Sequence, residues 1–358
     1  MSTLHIAEPN LRAVVRRIIL AGGSDEAEAD TVTDYLVRAN LAGHDSHGVG
    51  MIPTYVKHLK AGLLKPNTAV ERVKDEGSIL VFDGQRGYGQ RVALEAMDAA
   101  IARCKETGLV LMTLRNAHHI GRIGTYGERS LEAGLVSLHF VNVTDHRPLV
   151  APFGGTDARY GTNPICIAVP GGEEAEPLLL DMATSKVALG KTRVAMNQGV
   201  PVDEGRLLDG QGQPTTDPNV MFREPYGALL PLGDHKGYGL ALACELLGGV
   251  LSGGGTIQPA NARLNSIVNN MLSVVIDPAK LVDLPWMRAE IDATVRYFKA
   301  SPPADATQPV LSAGEPERRV REMRRREGIP LAERAWDGIL AAGEEVGFSR
   351  DEAEKLLA

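Results

Sequence analysis

The sequence lacks the cysteine patterns that mark disulfide-stabilised domains and metal-binding motifs. Its 358 residues include three cysteines, which lie far apart at Cys104, Cys166 and Cys244. An odd and widely spaced set fits neither a disulfide framework nor a CxxC metal site. We therefore expect a protein of a reducing compartment and place it in the cytoplasm.

The sequence also lacks long apolar runs and an excess of positive charge. No uninterrupted apolar stretch approaches the ~20 residues of a membrane helix, and Met1 to Arg12 lacks the basic start and apolar core of a signal peptide. The 38 lysines and arginines are outnumbered by 45 aspartates and glutamates, which gives a net charge of -7. These features predict no membrane segment and argue against a general nucleic-acid binder.

Two familiar functional motifs are absent as well. No G-x-G-x-x-G stands between a strand and a helix, because the stretch from Gly84 to Gly89 lacks that context. No HExxH helix is present that would suggest a zinc protease. Spacing rules alone therefore reveal neither a dinucleotide site nor a metal site.

The sequence does contain a helical beginning, followed by alternating strands and helices. Apolar side chains recur at helical spacing within 9–41, and the first ~65 residues look all-helical. Residues 71–234 alternate short apolar strands with helices, which predicts an α/β domain around a mixed sheet. The segment 237–251 is apolar nearly all round, with Glu245 as the exception, and is predicted to be a buried helix.

These patterns predict two domains. Residues 1–70 form a helical domain, which 235–265 and 310–358 join. Residues 71–234 form an α/β domain that binds cofactor and substrate, with 266–300 as a candidate return to its sheet.

The stretch from Leu41 to Gly48 is the densest chemical motif in the chain. It places His44, Asp45, Ser46 and His47 at a helix end or in the loop after it. Imidazole titrates close to neutral pH, and a neighbouring hydroxyl or carboxylate can fix its tautomer. The motif therefore predicts a general acid/base site. A capped helix end with solvated polar side chains is the equally weighted alternative.

Four further polar stretches follow predicted strands or open a predicted helix. Residues 118–122 (His-His-Ile-Gly-Arg) follow a strand end, where α/β proteins usually bind ligands. Residues 154–164 offer a glycine-rich loop, and 181–185 begin with an aspartate that either caps a helix or orients an imidazole. Lys236 lies in a first helical turn, where a cation favours an anionic partner. Each stretch also fits an ordinary loop or cap.

A zinc centre is the main alternative that the histidines allow. Zinc needs convergent ligands, commonly three from protein at a catalytic site. Nothing in the sequence shows convergence of the five candidate histidines, which are His44, His47, His118, His119 and His235. We therefore expect no metal, and a zinc-dependent hydrolase is kept as an alternative function.

Taken together, the motifs resemble the type 2 malate/L-lactate dehydrogenases, a family that includes ureidoglycolate and sulfolactate dehydrogenases. The resemblance rests on stretches that run in the family's order across nearly the whole chain. These are RANLAGHDSHG (38–48), AHHIGRIG (117–124), APFGGTDARYGTNP (151–164), LLLDMATSKVALGK (178–191), GQPTTDP (212–218), DHKGYGLAL (234–242) and GEPE (314–317). Within the family, HDSHGVGMIP, HHIGRIG and CELLGGVLSGG look most like the hydroxycarboxylate dehydrogenase B branch.

The resemblance implies hydride transfer between NAD(P)H and a 2-oxo acid. It implies a mixed-sheet, non-Rossmann NAD-binding fold of the sulfolactate dehydrogenase type with a separate helical domain, and a homodimer. His47 matches the family's acid/base histidine, Ser46 and Asp181 match residues that support it, and His119 matches a proton donor of some members. The choice between the two histidines stays open.

The resemblance also implies a cofactor site and a substrate contact. Thr162 matches a substrate contact. The positions that match cofactor contacts, besides His47, are Gly121, Arg122, Ile123, Leu179, Leu180, Asp181, Met182, Ala183, His235, Lys236, Asn269, Glu315, Pro316, Glu317 and Arg318. The cofactor is NAD or NADP, with NAD favoured.

One position departs from the family pattern. Many members carry an arginine four residues after the catalytic histidine, where this chain has Met51. A second substrate carboxylate then loses an obvious partner, and methionine suits an apolar or aromatic tail. Arg147 or Arg122 are the candidates for binding the remaining carboxylate.

The sequence thus predicts an NAD(P)-dependent 2-hydroxycarboxylate dehydrogenase. The expected substrates are phenylpyruvate-like acids, lactate or malate. A cyclic imine reductase, which would reduce piperideine or pyrroline carboxylates, is the alternative within the family. A protein that binds NAD without turnover is a further alternative.

Overall fold

The computed structural model describes residues 3–357, so positions 1, 2 and 358 of the predicted domains lie outside the described part. The described residues fold into eleven α-helices and twelve strands. The helices are α1 (Glu8–Ala21), α2 (Glu26–Leu41), α3 (Ile52–Lys60), α4 (Gly89–Thr107), α5 (Gly124–Glu132), α6 (Leu189–Gln198), α7 (His235–Cys244), α8 (Leu284–Lys299), α9 (Glu315–Glu327), α10 (Glu333–Glu345) and α11 (Arg350–Leu357). The strands are β1 (Thr3–Ile6), β2 (Glu71–Glu76), β3 (Ile79–Asp83), β4 (Leu109–His118), β5 (Val136–Thr144), β6 (Ile165–Val169), β7 (Leu178–Met182), β8 (Leu207–Leu208), β9 (Pro214–Thr215), β10 (Ala228–Leu229), β11 (Val268–Ile276) and β12 (Ile329–Ala332).

A seven-stranded sheet forms the centre of the molecule. Its strand order is β2-β3-β4-β11-β5-β6-β7. Strands β3 and β4 are parallel, whereas β11 pairs with both β4 and β5 in antiparallel fashion. The predicted mixed α/β class is therefore confirmed. Strands β4 and β5, which α5 connects, run parallel to each other, but β11 lies between them.

Apart from the sheet, an apolar core lies among the N-terminal and C-terminal helices. Buried side chains of α1, α2, α3 and α10 pack together there, among them Leu11, Leu36, Tyr55 and Ile339. Strand β1 pairs with β12 and ties the two ends of the described chain together. The prediction that the first ~65 residues are all-helical is therefore wrong at β1, whose partner strand lies more than 300 residues later.

The segment 235–250 packs differently from the prediction. It was assigned to the helical domain, but α7 and the π-helical turn Glu245–Val250 contact β5 and β11 instead. Glu245, predicted as the polar exception on a buried helix, is itself buried, while Leu242, Leu246 and Val250 are exposed. The carboxylate of Glu245 tolerates burial because Asn142, Asn163 and the amide of Ile257 donate hydrogen bonds to it.

Among residues 3–357, no helix combines the length and the apolar composition that crossing a bilayer needs.

Candidate active site

The histidine-rich motif lies in a single 3₁₀ turn, Asp45–His47, just after α2. The side chain of Asn40, near the end of α2, holds this turn from inside. Its Nδ2 donates to Asp45 Oδ1 at 2.6 Å, and its Oδ1 accepts from the Val49 amide at 2.8 Å. Gly48 leaves room for Asn40, because a Cβ at position 48 would collide with that side chain. The turn therefore presents His47 from a fixed backbone.

A chain of hydrogen bonds leads from His47 into the core. The Nδ1 atom of His47 lies 3.2 Å from Nε2 of His119. On its other side, Nδ1 of His119 lies 2.7 Å from the hydroxyl of Tyr55. Gln90 Nε2 donates to the same hydroxyl at 2.7 Å. The structure thus brings together His47 and His119, the two candidates for the proton donor.

Tyr55 and Gln90 were not predicted as site residues. Tyr55 lies on the buried side of α3 and Gln90 in the first turn of α4, and both are fully buried. Their contacts join residues that lie 35 and 64 positions apart in the chain. No local spacing distinguishes Tyr55 and Gln90 from ordinary core residues, so the sequence alone does not predict their place in the site.

Both site histidines are uncharged near neutral pH. Burial lowers the pKa of His47 to about 4, with a smaller lowering from His44 and Arg122 and an opposing effect from Asp181. Burial also holds the pKa of His119 well below its ordinary value, and the neighbouring His47 acts in the same direction. A neutral imidazole offers one donor and one acceptor nitrogen.

The predicted supports of His47 make other contacts. Asp181, at the end of β7, accepts from the Gly124 amide at 3.0 Å and lies 3.2 Å from Nε of Arg122. Ser46 faces α6, where Gly190 leaves space for it. No hydrogen bond joins either side chain to His47 in the described part of the chain. Asp181 and Ser46 therefore contribute to the surroundings of the His47 ring without bonding to it.

Arg122 is buried and pairs with Glu128, a carboxylate that three arginines share. Its Nη1 donates to Glu128 at 2.9 Å, and Glu128 also accepts from Arg38 at 2.7 Å and Arg321 at 2.7 Å. Arg122, Arg321 and Arg38 together hold the pKa of Glu128 at about 2, against the opposing effect of burial. Glu128, which sequence patterns did not single out, therefore joins α2, α5 and α9 next to the site.

The segments predicted to hold the cofactor meet along β7. The Leu179 amide donates to the Ala313 carbonyl, and Arg318 Nη1 donates to the Pro177 carbonyl at 3.1 Å, so the start of α9 lies against this strand. Asp181 joins β7 to Gly124, and Glu317 of α9 lies 3.4 Å from His44. The predicted positions from 121–123, 179–183 and 315–318 thus converge.

Three further residues that are predicted to contact the cofactor lie near this region: Asn269, His235 and Lys236. Asn269 on β11 is buried and accepts from the Ile120 amide at 3.0 Å, which fixes the loop before Gly121. The Leu232 amide donates to the Thr184 carbonyl, so the start of α7 lies beside the end of β7. His235 and Lys236, at that start, are both exposed.

Several buried guanidinium donors at this place have no protein partner. Among the described residues, Nη2 of Arg122, Nη2 of Arg318 and Nε of Arg321 are buried and make no hydrogen bond. Buried donors are normally satisfied. Three such groups beside β7 fit an anionic ligand, such as the phosphates of a dinucleotide.

The remaining predicted substrate residues do not all converge on His47. Arg147 stacks over Tyr226, with 4.2 Å from its guanidinium carbon to the ring centre, and donates to the Met221 carbonyl. Met51 is partly buried against the helical core. The carbonyl of Thr162 accepts from the Thr184 amide. Arg147 is thus engaged elsewhere, whereas Arg122 keeps a free donor.

His118, another candidate zinc ligand, pairs with His58 instead. His58 Nδ1 lies 2.9 Å from His118 Nε2 in the core. Within residues 3–357, no group of three His, Cys, Asp or Glu side chains is arranged to hold a metal ion. The zinc alternative therefore finds no ligand set among the described residues.

Comparison with known proteins identifies a family. The model of the malate/L-lactate dehydrogenase family matches residues 6–340. The chain is 44% identical over 343 residues to hydroxycarboxylate dehydrogenase B of Escherichia coli K12. This match covers 95% of this chain and 94% of that protein. It is also 44% identical over 312 residues to L-lactate dehydrogenase of Cupriavidus necator, covering 87% and 89% respectively.

Solved structures show the same fold. Sulfolactate dehydrogenase from Methanocaldococcus jannaschii superimposes with a TM-score of 0.84 at 31% identity, over 98% of this chain and 99% of that chain. The delta1-piperideine-2-carboxylate reductase from Pseudomonas syringae superimposes with a TM-score of 0.80 at 25% identity, over 95% and 99%. The same fold thus occurs in proteins named as a sulfolactate dehydrogenase and as a delta1-piperideine-2-carboxylate reductase.

Proposed function

The chain belongs to the malate/L-lactate dehydrogenase family, and we propose that it transfers a hydride between NAD(P)H and the keto carbon of a 2-oxo acid. The coarser conclusion, a 2-hydroxyacid oxidoreductase, follows from the family and from the relatives at 44% identity. The finer proposal rests above all on one observation: the imidazole of His47 lies near Arg122, whose buried Nη2 has no partner among the described residues.

His47 is the proton donor in this proposal. Both ring nitrogens of His119 are engaged, one by His47 and one by Tyr55, so His119 has none to offer a substrate. No described residue hydrogen-bonds Nε2 of His47, which leaves that atom for a ligand. In the reduction His47 gives its proton to the developing alkoxide, and in the oxidation it takes the hydroxyl proton.

The low pKa of His47 sets its protonation state in the free protein. With a pKa of about 4 in the free protein, the ring is neutral at pH 7 and ready to accept a proton from a hydroxy acid. In the other direction, the carboxylate of a bound oxo acid favours the protonated ring, since an opposite charge within a few ångströms raises the pKa of histidine.

A nicotinamide dinucleotide fits the region along β7. It supplies the hydride when bound. Arg318 and Arg321 offer buried donors to its phosphates, and the 121–123 loop and α9 would enclose it. We propose NAD as the favoured form, in a cofactor fold of the sulfolactate dehydrogenase type rather than a Rossmann fold.

The substrate proposal follows from Arg122 and Met51. The free Nη2 of Arg122 is a candidate partner for the substrate carboxylate, since a guanidinium recognises this group well. Position 51 offers a thioether instead of a second cation. An oxo acid with an apolar or aromatic tail, such as phenylpyruvate or hydroxyphenylpyruvate, is therefore favoured over malate-like dicarboxylates, with lactate next.

We also propose a cytoplasmic homodimer. Leu242, Leu246 and Val250 are exposed at intervals of four residues along α7 and the following turn. Contiguous exposed apolar side chains mark interaction surfaces. A second copy of the chain on this face would cover them.

Light scattering tests the dimer. The wild-type chain should have twice the mass of the 38.3 kDa monomer. Leu246→Glu should shift it toward the monomer, because a charge buried in an apolar interface lacks a partner. Val73→Glu, at an exposed apolar residue of β2, serves as the control. A wild-type monomer, or an unaffected Leu246→Glu dimer, contradicts the assignment.

A nicotinamide absorbance assay tests the reaction. The oxo acids should run from pyruvate and oxaloacetate to phenylpyruvate and hydroxyphenylpyruvate, with NADH and NADPH in parallel and a cyclic imine as the rival substrate. We expect oxidation of the nucleotide with an aromatic oxo acid. Oxidation with the imine alone would favour the cyclic imine reductase. Nucleotide binding without any oxidation would favour a non-catalytic NAD-binding protein.

A further inference from the structure

The carboxylate of Asp45 joins the turn that carries His47 to helix α9, and we infer that Asp45 and Arg324 are positioning residues that hold this turn for proton transfer. The inference deepens the proposed function and rests on it for the role of His47 in turnover. His119 contacts the ring of His47, whereas Asp45 holds the backbone that carries the ring.

The Asp45 carboxylate accepts three hydrogen bonds from two helices. Nη1 of Arg324 donates to its Oδ1 at 2.6 Å, and Nη2 donates to its Oδ2 at 3.0 Å. In this bidentate geometry a guanidinium and a carboxylate fix each other's orientation. Nδ2 of Asn40 donates to the same Oδ1 at 2.6 Å. Asp45 is thus bound to α2 and to α9 at once.

The donors and acceptors of this network are unambiguous. The Asn40 amide has one possible orientation, because its Oδ1 meets the N–H of Val49 and its Nδ2 meets a carboxylate, which only accepts. Nη1 of Arg324 also donates to the Asn40 carbonyl. Arg324 is 11% exposed and Asp45 is 45% exposed, so the pair gains its strength from the bidentate geometry rather than from full burial.

Helix α9 follows the start of the turn along one face. Glu317 lies 3.4 Å from His44, and Arg324 pairs with Asp45. Between them, Val320 lies so close to Gly43 that a Cβ added there would be 3.3 Å from it. Residues 317, 320 and 324 share a helix face by their spacing. The contact of α9 with 43–45 is therefore continuous, and the Asp45 pair ends it.

The part of α9 that is proposed to bind phosphate has contacts of its own. Arg318 donates to a backbone carbonyl just before β7 at 3.1 Å, and Arg321 donates to Glu128 at 2.7 Å. Neither contact involves Arg324. Loss of the Asp45–Arg324 pair should therefore leave the start of α9 in place.

The turn has few other contacts that could replace the pair. The amides of His47 and Gly48 close it, donating to the carbonyls of His44 at 3.0 Å and Asp45 at 3.2 Å. A single 3₁₀ turn of three residues is held by few hydrogen bonds of its own. Loss of the pair should thus loosen the turn and displace His47.

Three variants and one control test this inference. Asp45→Asn and Arg324→Gln remove the pair from either side, and the double variant shows whether the two residues act together. Arg325→Gln is the matched control, because it removes the same charge from the next residue of α9. Arg325 is exposed and pairs with Glu8 instead.

Hydrogen exchange of the amides in 43–48, measured by mass spectrometry without nucleotide or substrate, reads the turn directly. We expect these amides to exchange about tenfold faster or more in both single variants, since a hydrogen bond to a charged group shifts an opening equilibrium by that much. The double variant should exchange no faster than the single ones, because the second change removes nothing further. Arg325→Gln should match the wild type.

Turnover separates positioning from a general loss of structure. With the best oxo acid, kcat should fall by about 10- to 100-fold in Asp45→Asn and Arg324→Gln, because a small displacement of a reacting group costs this much. Nucleotide affinity from cofactor fluorescence should stay at the wild-type value, since Arg318 and Arg321 keep their contacts. A general loosening of the fold would lower nucleotide affinity as well.

Wild-type exchange of 43–48 in either single variant, or additive effects in the double variant, would overturn the inference. So would wild-type kcat in a variant whose turn exchanges faster. If one single variant failed to fold, the other would remove the same pair. Because the exchange is measured in the free protein, a failure of the proposed reaction is distinguishable from a failure of this inference.

Discussion

At the scale of single residues, the site depends on which nitrogen atoms are left free. His119 is enclosed by His47 and Tyr55, whereas His47 keeps one nitrogen for a ligand. Arg122 is likewise held by Glu128 but keeps Nη2 free. In the proposed function, the proton donor and the carboxylate partner are therefore residues whose remaining contacts fix them in place.

Met51 tests the substrate proposal at this scale. Met51→Arg should raise the ratio of kcat/KM for oxaloacetate over phenylpyruvate by about tenfold or more, because a hydrogen bond to a charged group contributes about 1.5–3 kcal/mol. Met51→Leu controls for the loss of packing against the helical core. Steady-state kinetics with both acids give the ratio. An equal ratio in all three proteins would remove the argument for an apolar tail.

The sequence was informative about residues only where their chemistry is local. The turn at 45–47 and the pair at 118–119 stand out as compact polar motifs, and the structure joins them. Sequence patterns did not single out Tyr55, Gln90 and Glu128, because these residues bond to side chains on other helices and strands. A buried tyrosine on an apolar helix face has the same pattern whether or not its hydroxyl meets a histidine.

At the scale of elements, Glu128 connects three helices at the edge of the cofactor region. Its side chain is 14% exposed and accepts hydrogen bonds from Arg38 of α2, Arg321 of α9 and Arg122. Helix α9 makes a second contact with this region where Arg324 pairs with Asp45 of the 45–47 turn. The position of α9 is therefore coupled to the turn that carries His47.

Glu128→Gln tests this coupling. The change leaves three neighbouring guanidinium groups without their common counter-charge, and breaking a buried pair in this way costs about 3–5 kcal/mol. The free energy of unfolding, measured in urea without nucleotide, should fall by an amount of that order, and nucleotide affinity should weaken. Asp98→Asn, in the exposed pair with Arg129, should cost about 0–1 kcal/mol. Equal effects of the two variants would contradict the assigned role.

Element boundaries were predictable where periodicity is strong, and neighbours in the sheet were not. Helix α4 shows the strong case, because its buried side chains recur at helical spacing and Gly108, with φ of 83°, ends it. The insertion of β11 between β4 and β5 has no local signature, because pairing partners are chosen by long-range packing. The exposed side of α7 was predicted wrongly for a related reason: Glu245 found buried partners that apolarity alone does not reveal.

At the scale of the whole molecule, buried neutral histidines limit acid stability. Burial lowers the pKa of His47 to about 4 and of His118 and His139 to about 3, and it holds the pKa of His119 well below 6.5. The unfolded chain takes up protons at these residues below pH 6.5, whereas the folded chain does not. Unfolding is therefore favoured as the pH falls from 6.5 toward 4.

Thermal unfolding across pH measures this effect. Each such histidine contributes up to about 1.4 kcal/mol of lost stability per pH unit below 6.5, so Tm should be flat from pH 8 to 6.5 and then fall. Glu128, whose pKa is about 2, adds a loss only below its ordinary value of 4.5. His139→Gln, which removes one buried titrating group between Ser137 and Ser273, should make the fall shallower. A Tm that stays constant from pH 8 to 4.5 would contradict this account.

The most direct test of the central claim is the turnover of His47→Ala with the best oxo acid, together with nucleotide affinity from cofactor fluorescence. The account predicts a loss of about 10²–10⁴-fold in kcat, the usual contribution of a general acid or base, with nucleotide affinity retained. His5→Ala, on the exposed face of β1, should match the wild type. Unchanged turnover in His47→Ala would contradict the assignment of His47 as the proton donor.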